Sequence, residues 1–140
     1  MNKLTQSQNF GFLIENIIKT NIFKLPIKFN DISKYDISCK ENIFDKNENI
    51  SIKTTQSKNI DCGDIRRFFK YDFTKKNSII LVKYKQNNDF KVINTIYEIN
   101  YNKELHSILF GNITFDILDN YVRNVKSIPI KVKGDEAKKI

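Results

Sequence analysis

Apolar residues recur along this chain at two different spacings, one typical of helices and one typical of strands. Helical spacing predicts an amphipathic helix from Gln8 to Lys19, a short helix capped by Asp64 and ending near Tyr71, and a third from Ile113 to Val125. In the first helix, Glu15 follows Ile14 at the boundary of the apolar stripe. At this position Glu15 is either an ordinary surface carboxylate or a candidate functional group.

Alternation of apolar and polar residues predicts several strands between these helices. They are predicted at Ile27 to Phe29, Lys34 to Lys40, Asn49 to Thr55, Ser78 to Gln86, Phe90 to Tyr101 and Leu105 to Phe110. Helices interspersed with strands and hairpins are typical of an α/β or α+β domain with a central mixed β-sheet flanked by helices.

Two of the predicted strands, Lys34 to Lys40 and Asn49 to Thr55, are joined by a polar connection and form a predicted hairpin. If the turn centres near Phe44 and Asp45, Asp36 lies roughly opposite Lys53, with Cβ atoms about 5 Å apart. Two interpretations follow. The pair is either a cross-strand ion pair worth well under ~1 kcal/mol or part of a reactive site.

The length of 140 residues fits one domain. We expect it to occupy residues 1–130, with a charged tail at 131–140 that is either disordered or the mark of a truncated reading frame. Cys39 and Cys62 are the only cysteines, too few for a disulfide framework or a paired-cysteine zinc site.

Net charge is +8, which favours an anionic partner without identifying one. No apolar run approaches the roughly 18 residues of a membrane span. The N-terminal residues lack the apolar stretch and cleavage site of a secretory signal. We therefore expect an intracellular protein with no membrane partner.

A helix carrying Glu15, a strand carrying Asp36, a strand carrying Lys53 and then another helix resemble the PD-(D/E)xK nuclease superfamily. The matching pieces are Tyr35-Asp36-Ile37, Ser51-Ile52-Lys53 and Glu15, within a region from Gln8 to Tyr84. The resemblance implies a restriction endonuclease-like fold and a Mg²⁺-dependent DNA endonuclease. It also implies two copies acting together to cut both strands.

The same resemblance implies the roles of individual residues. Asp36, Glu15, Lys53 and Ser51 would be catalytic, and Mg²⁺ would be held by Asp36, Glu15 and the carbonyl of Ile52. Ser51 stands where the family usually has an acid, and Tyr35 where it has proline. Glu15, the Ser51 hydroxyl or Glu48 could replace the missing acid, and strand alternation favours Glu15 because it puts Glu48 on the other face.

Residues that suit phosphate contacts follow directly after Lys53. They are Thr54, Thr55, Gln56, Ser57 and Lys58, and a solvated loop explains them equally well. Arg66 and Arg67 either grip DNA or form the outer face of a helix, and Lys83 and Lys85 could extend a basic strip. A catalytically inactive nucleic-acid-binding module and a basic interaction protein are the competing predictions.

Overall fold

A three-stranded mixed sheet lies at the centre of the protein. The computed structural model describes residues 6–26 and 35–127. The strands are β1 (Glu48–Thr55), β2 (Lys76–Asn87) and β3 (Phe90–Asn100), in the order β1-β2-β3. β1 runs parallel to β2, and β2 runs antiparallel to β3. The predicted mixed α+β class is therefore confirmed.

β2 is central because it carries the longest apolar run of the three strands. Its residues Ile79, Leu81 and Val82 are buried, whereas β3 is exposed along most of its length. Asn88 joins β2 to β3 at a φ of 54°, a backbone conformation that asparagine tolerates better than most residues.

Helices lie on both sides of this sheet. They are α1 (Gln6–Ile17), followed by a π-helical turn (Ile18–Ile22), a 3-10 helix (Ile65–Lys70), α2 (Lys103–Phe110) and α3 (Phe115–Ser127). As predicted, the Asp64 side chain caps the 3-10 helix by accepting a hydrogen bond from the Arg66 backbone N–H.

The strand predicted at Leu105 to Phe110 is wrong, because this segment is α2. The Asn102 side chain accepts a hydrogen bond from the Leu105 N–H and caps the helix, and Gly111 follows it at a φ of 58°. The helical turn also lets His106 and Phe110 both contact the ring of Phe69.

Two apolar clusters cover opposite faces of the sheet. One joins α1 to β1 and β2 and consists of Ile14, Phe23, Ile37, Ile50, Ile52 and Val82. The other joins the 3-10 helix to β2 and consists of Phe68, Tyr71, Ile79 and Tyr101. Because neighbouring residues of a strand point to opposite faces, β1 contributes to both sides of the molecule.

The predicted hairpin is only partly formed. Its second strand is β1, whereas the predicted first strand is reduced to one antiparallel bridge between Ile37 and Ile50. The strand predicted at Ile27 to Phe29 and the tail predicted at 131–140 lie outside the described residues. Among the described residues, no helix is both long and apolar enough to cross a membrane.

Substitution of Ile37 by alanine tests the contribution of this bridge segment to the core. Ile37 is 0% exposed, so Ile37→Ala should lower the free energy of unfolding by about 2–5 kcal/mol. Ile96 is 61% exposed on β3, and Ile96→Ala should change it by no more than about 0.5 kcal/mol. Urea denaturation of both variants measures the difference, and equal effects would contradict the burial of Ile37.

Candidate active site

The free edge of β1 holds Asp36 in place. Ile37 and Ile50 exchange two backbone hydrogen bonds, with N–O distances of 2.9 and 2.8 Å. Two residues further along β1, the Ile52 N–H faces the same edge and donates to Asp36 Oδ2 at 2.6 Å. Within the part of the chain that the structure describes, the Asp36 carboxylate thus takes the place that a strand partner would have at Ile52.

The Glu15 side chain of α1 lies next to the Asp36 carboxylate. Its carboxyl group forms a side-chain hydrogen bond with Asp36, so the two acids meet although they are far apart in the sequence. Burial raises the pKa of Glu15 to about 7, and the negative charge and hydrogen bond of Asp36 act in the same direction. Near neutral pH a large fraction of Glu15 therefore carries a proton.

Lys19 completes this group of charges. Its Nζ lies 3.2 Å from Glu15 Oε1, one helical turn along, and the Lys19 side chain is almost fully buried. This contact opposes the rise in the pKa of Glu15 without cancelling it. We define Glu15, Asp36 and Lys19 as the carboxyl cluster.

Lys53 does not lie in the predicted register relative to Asp36. The Ile37–Ile50 bridge puts Asp36 beside Ser51, two residues before Lys53. Among the ion pairs of the described residues, none joins Asp36 to Lys53. The predicted cross-strand ion pair is therefore not formed.

The register differs because of the connection that precedes β1. The chain turns back at Ser38, whose carbonyl accepts from the Asn42 N–H at 3.0 Å, and the fully buried Asn42 side chain accepts from the N–H groups of Phe44 and Asp45. Asparagine side chains often organise turns in this way. The turn is centred one residue earlier than predicted, which shifts the pairing by two residues.

An open groove of about 630 Å³ connects Lys53 to Glu15. Its walls are α1, the end of β1 and the loop that follows β1. Glu15, Ile52, Lys53, Thr54, Thr55, Gln56 and Ser57 all line it. We call it the first groove. Of the residues that the sequence assigned to catalysis, Glu15 and Lys53 line this groove and Asp36 and Ser51 do not, whereas four of the residues assigned to phosphate contacts line it.

Close approach of α1 to β1 forms one end of the first groove. A Cβ atom added at Gly11 would lie 3.2 Å from the Thr54 hydroxyl, so the absence of a side chain permits this approach. The loop is held by the Thr55 hydroxyl, which donates to the Asn59 carbonyl and accepts from the Ser57 N–H. Thr55 therefore supports the loop, while Gln56 and Ser57 remain exposed.

Ser51 and Glu48 are not brought to the carboxyl cluster. The Ser51 hydroxyl is buried and lies 3.0 Å from the Tyr71 hydroxyl. Glu48 lies at the opposite end of β1, where Oε2 accepts from the Ser78 hydroxyl at 2.6 Å and pairs with Lys76 at 3.4 Å. Ser51 is beside Asp36 in the pairing but its hydroxyl bonds to Tyr71, so of the three possible replacements for the acid Glu15 is the one whose side chain interacts with Asp36.

Arg66 and Arg67 lie away from the first groove. The Arg66 guanidinium is held by Asp64 and Asp119, each at 2.7 Å, and so ties the 3-10 helix to α3. These hydrogen bonds raise the pKa of Arg66, and the hydrogen bonds that Arg66 and Arg123 donate lower the pKa of Asp119. Arg67 is exposed.

The edge of β1 carries oxygen atoms, the ligand type that hard divalent cations such as Mg²⁺ prefer. Asp36 keeps one carboxylate oxygen beyond the one bonded to Ile52, and Glu15 contributes a second carboxylate. The Ile52 carbonyl faces the same edge as its N–H, because Ile50 exchanges both its backbone groups there and strand geometry repeats every two residues. Within the described residues, no group of three acidic, histidine or cysteine side chains could hold a metal ion.

Two residues of this region were missed by the sequence interpretation. Lys19 could have been found, because a glutamate four residues before a lysine on a helix is a known stabilising pair. Tyr71 carried no comparable signal, since its contact with Ser51 depends on how the 3-10 helix packs on the sheet.

Comparison with protein-family models, with curated proteins and with solved structures gave no match. The geometry of the first groove and the carboxyl cluster is therefore the basis for assigning a function.

Glu15→Gln tests the proton held in the carboxyl cluster. A carboxyl whose pKa rises from 4.5 to about 7 on folding makes the native state bind more protons, so its contribution to stability falls as pH rises through this interval. Glutamine mimics the protonated acid. Relative to Glu15→Gln, the wild type should lose about 1–2 kcal/mol between pH 4.5 and 8, allowing for solvent screening.

Chemical denaturation of both proteins across this pH range measures the difference. The Asp45→Asn variant changes an exposed acid and should show no such trend relative to wild type. A constant difference between wild type and Glu15→Gln at all pH values would contradict the raised pKa.

The Arg66 tether predicts unequal effects for two arginines that bind the same aspartate. Arg66 joins two elements through Asp119, whereas Arg123 contacts Asp119 within α3 and its side chain is 74% exposed. Arg66→Ala should therefore lower the melting temperature more than Arg123→Ala, as measured by circular dichroism. Equal melting temperatures would show that the tether does not stabilise the fold.

Proposed function

We propose that this protein is a divalent-cation-dependent DNA endonuclease with a restriction endonuclease-like core. The observation that carries the proposal is the meeting of Glu15 and Asp36 beside the backbone of Ile52, with Glu15, Ile52 and Lys53 all lining one groove. Glu15, Asp36 and Lys53 were assigned to one site from the sequence. The proposal extends that assignment to chemistry.

The partly protonated acid pair supports this function over a purely structural one. Glu15 already has a buried cation in Lys19, so a second carboxylate from Asp36 is not needed for charge balance and makes Glu15 harder to ionise. Groups with pKa values displaced in this way, at the edge of a groove, are typical of reactive sites. A bound cation would favour the charged form of both acids.

Mg²⁺, when bound by Asp36, Glu15 and the Ile52 carbonyl, would neutralise charge on the phosphate and lower the pKa of a coordinated water. The chain itself supplies orientation. Asp36 is fixed by its hydrogen bond to Ile52, and Lys53, which lines the first groove, would hold a phosphate oxygen and offset negative charge that develops on it.

The loop after β1 would position the DNA backbone. Gln56 and Ser57 line the first groove and are exposed, and their amide and hydroxyl groups can donate to phosphate oxygens. The excess of positive charge in the chain, +8, favours DNA over neutral or cationic partners.

A catalytically inactive DNA-binding module is the second candidate. The burial of the Ser51 hydroxyl against Tyr71 favours it, because the position that usually carries the family's second acid contributes nothing to the carboxyl cluster. Under this alternative the first groove still binds DNA, and only cleavage is absent.

Cleavage of supercoiled plasmid in Mg²⁺ or Mn²⁺ tests the proposal. The wild type should nick the plasmid and lose activity in EDTA. Asp36→Asn, Glu15→Gln and Lys53→Met should each reduce the rate about 100-fold or more, the lower range of effects for groups that act directly in catalysis. Asparagine at position 36 can still accept the Ile52 hydrogen bond, so the fold should survive.

Lys85→Met is the matched control, because it removes one exposed positive charge from β2 outside the first groove. It should retain nearly full activity. Full activity in Asp36→Asn would contradict the proposal. Salt-sensitive plasmid binding without cleavage by the wild type would favour the inactive module.

A further inference from the structure

A second groove lies on the sheet face opposite α1. Its volume is about 320 Å³, and it is lined by Thr55, Ser57, Lys58, Leu81, Lys83 and Tyr97. Thr55 and Ser57 also line the first groove, so the loop after β1 separates two adjoining spaces. A molecule that occupies the first groove can continue around this loop into the second.

The strand register places the second groove beside Lys53. Lys53 pairs with Leu81, and Leu81 pairs with Tyr97, so these three residues form a row across one face of the sheet. Neighbouring strands are about 4.8 Å apart, so the Cα atoms of Lys53 and Tyr97 are separated by about 10 Å. The next row contains Thr55 and Lys83.

The side chains in this groove combine an apolar floor, an aromatic ring and two cations. Leu81 is buried beneath the groove, Tyr97 is 47% exposed, and Lys58 and Lys83 lie at its sides. Glu98 also lines the groove and pairs at 3.2 Å with Lys76, which it shares with Glu48. Exposed aromatic rings next to lysines are what proteins use to stack bases and bind the phosphates of single-stranded nucleic acid.

We propose that the second groove binds one unpaired nucleotide of the DNA strand whose phosphate lies in the first groove. Its base stacks on Tyr97, and its phosphates lie near Lys58 and Lys83. The volume of about 320 Å³ is of the order of one nucleotide. This inference rests on the proposed function, since the first groove supplies the neighbouring phosphate. It makes single-stranded or locally unpaired DNA the preferred substrate.

Binding of a labelled twelve-nucleotide thymidine oligomer in EDTA tests this assignment without cleavage. Tyr97→Leu should weaken binding about tenfold, the loss expected for one stacked base, and Tyr97→Phe should bind like wild type. Phe90→Leu is the matched control, because Phe90 is an exposed aromatic residue of the same strand that lies outside both grooves. A duplex of the same length should be far less sensitive to Tyr97→Leu.

The charge contribution is tested in the same way. Lys83→Met should weaken single-strand binding and reduce its dependence on salt concentration, whereas Lys85→Met should have little effect on either. Circular dichroism of each variant checks that the fold is retained. If Tyr97→Leu and Phe90→Leu bind the oligomer equally, the second groove is not a nucleotide site.

Failure of this inference can be separated from failure of the proposed function. Mg²⁺-dependent plasmid cleavage with no effect of Tyr97→Leu on oligomer binding overturns the inference alone. Tyr97-dependent oligomer binding with no cleavage supports the nucleotide site and overturns the nuclease proposal. A dimer in sedimentation that Tyr97→Leu dissociates would assign this face to a second copy of the chain and also overturn the inference.

Discussion

Backbone hydrogen bonding at the free edge of β1 is the constraint on which the candidate site depends. An edge strand presents N–H and C=O groups that need hydrogen-bond partners. Here the backbone of Ile37 bonds to both backbone groups of Ile50, and the Asp36 carboxylate accepts from the Ile52 N–H. The position of the carboxylate therefore follows from a requirement of the sheet itself. A substitution that broke the Ile37–Ile50 bridge would move Asp36 as well as destabilise the core.

The charges assembled at this edge are costly for the fold. Lys19 is buried beside Glu15, and Asp36 adds a second negative group to a partly desolvated place. Partial protonation of Glu15 reduces the repulsion between the acids. An apolar contact would serve packing better, so this arrangement is more readily explained by a role in binding a cation and phosphate than by stability.

The two faces of β1 pack against different parts of the protein. Ile50 and Ile52 pack towards α1, whereas Ser51 points into the aromatic cluster around Tyr71. A carboxylate at position 51 would be buried against that cluster at considerable cost. Under the proposed function, this packing accounts for a serine at position 51 where the nuclease superfamily that the sequence resembles has an acid.

The sequence by itself determined the helical stripe that places Glu15 next to the core, the alternation that forms β1 and β2, and the mixed α+β class. These features depend on spacing along a short stretch of chain, which periodicity reports directly. The tertiary structure alone decided the register of Asp36 against β1, the helical state of Lys103–Phe110, and the contacts of Ser51 and Arg66. Each of these depends on a turn geometry, a cap or a partner distant in the sequence, so the local pattern of apolar residues does not encode it.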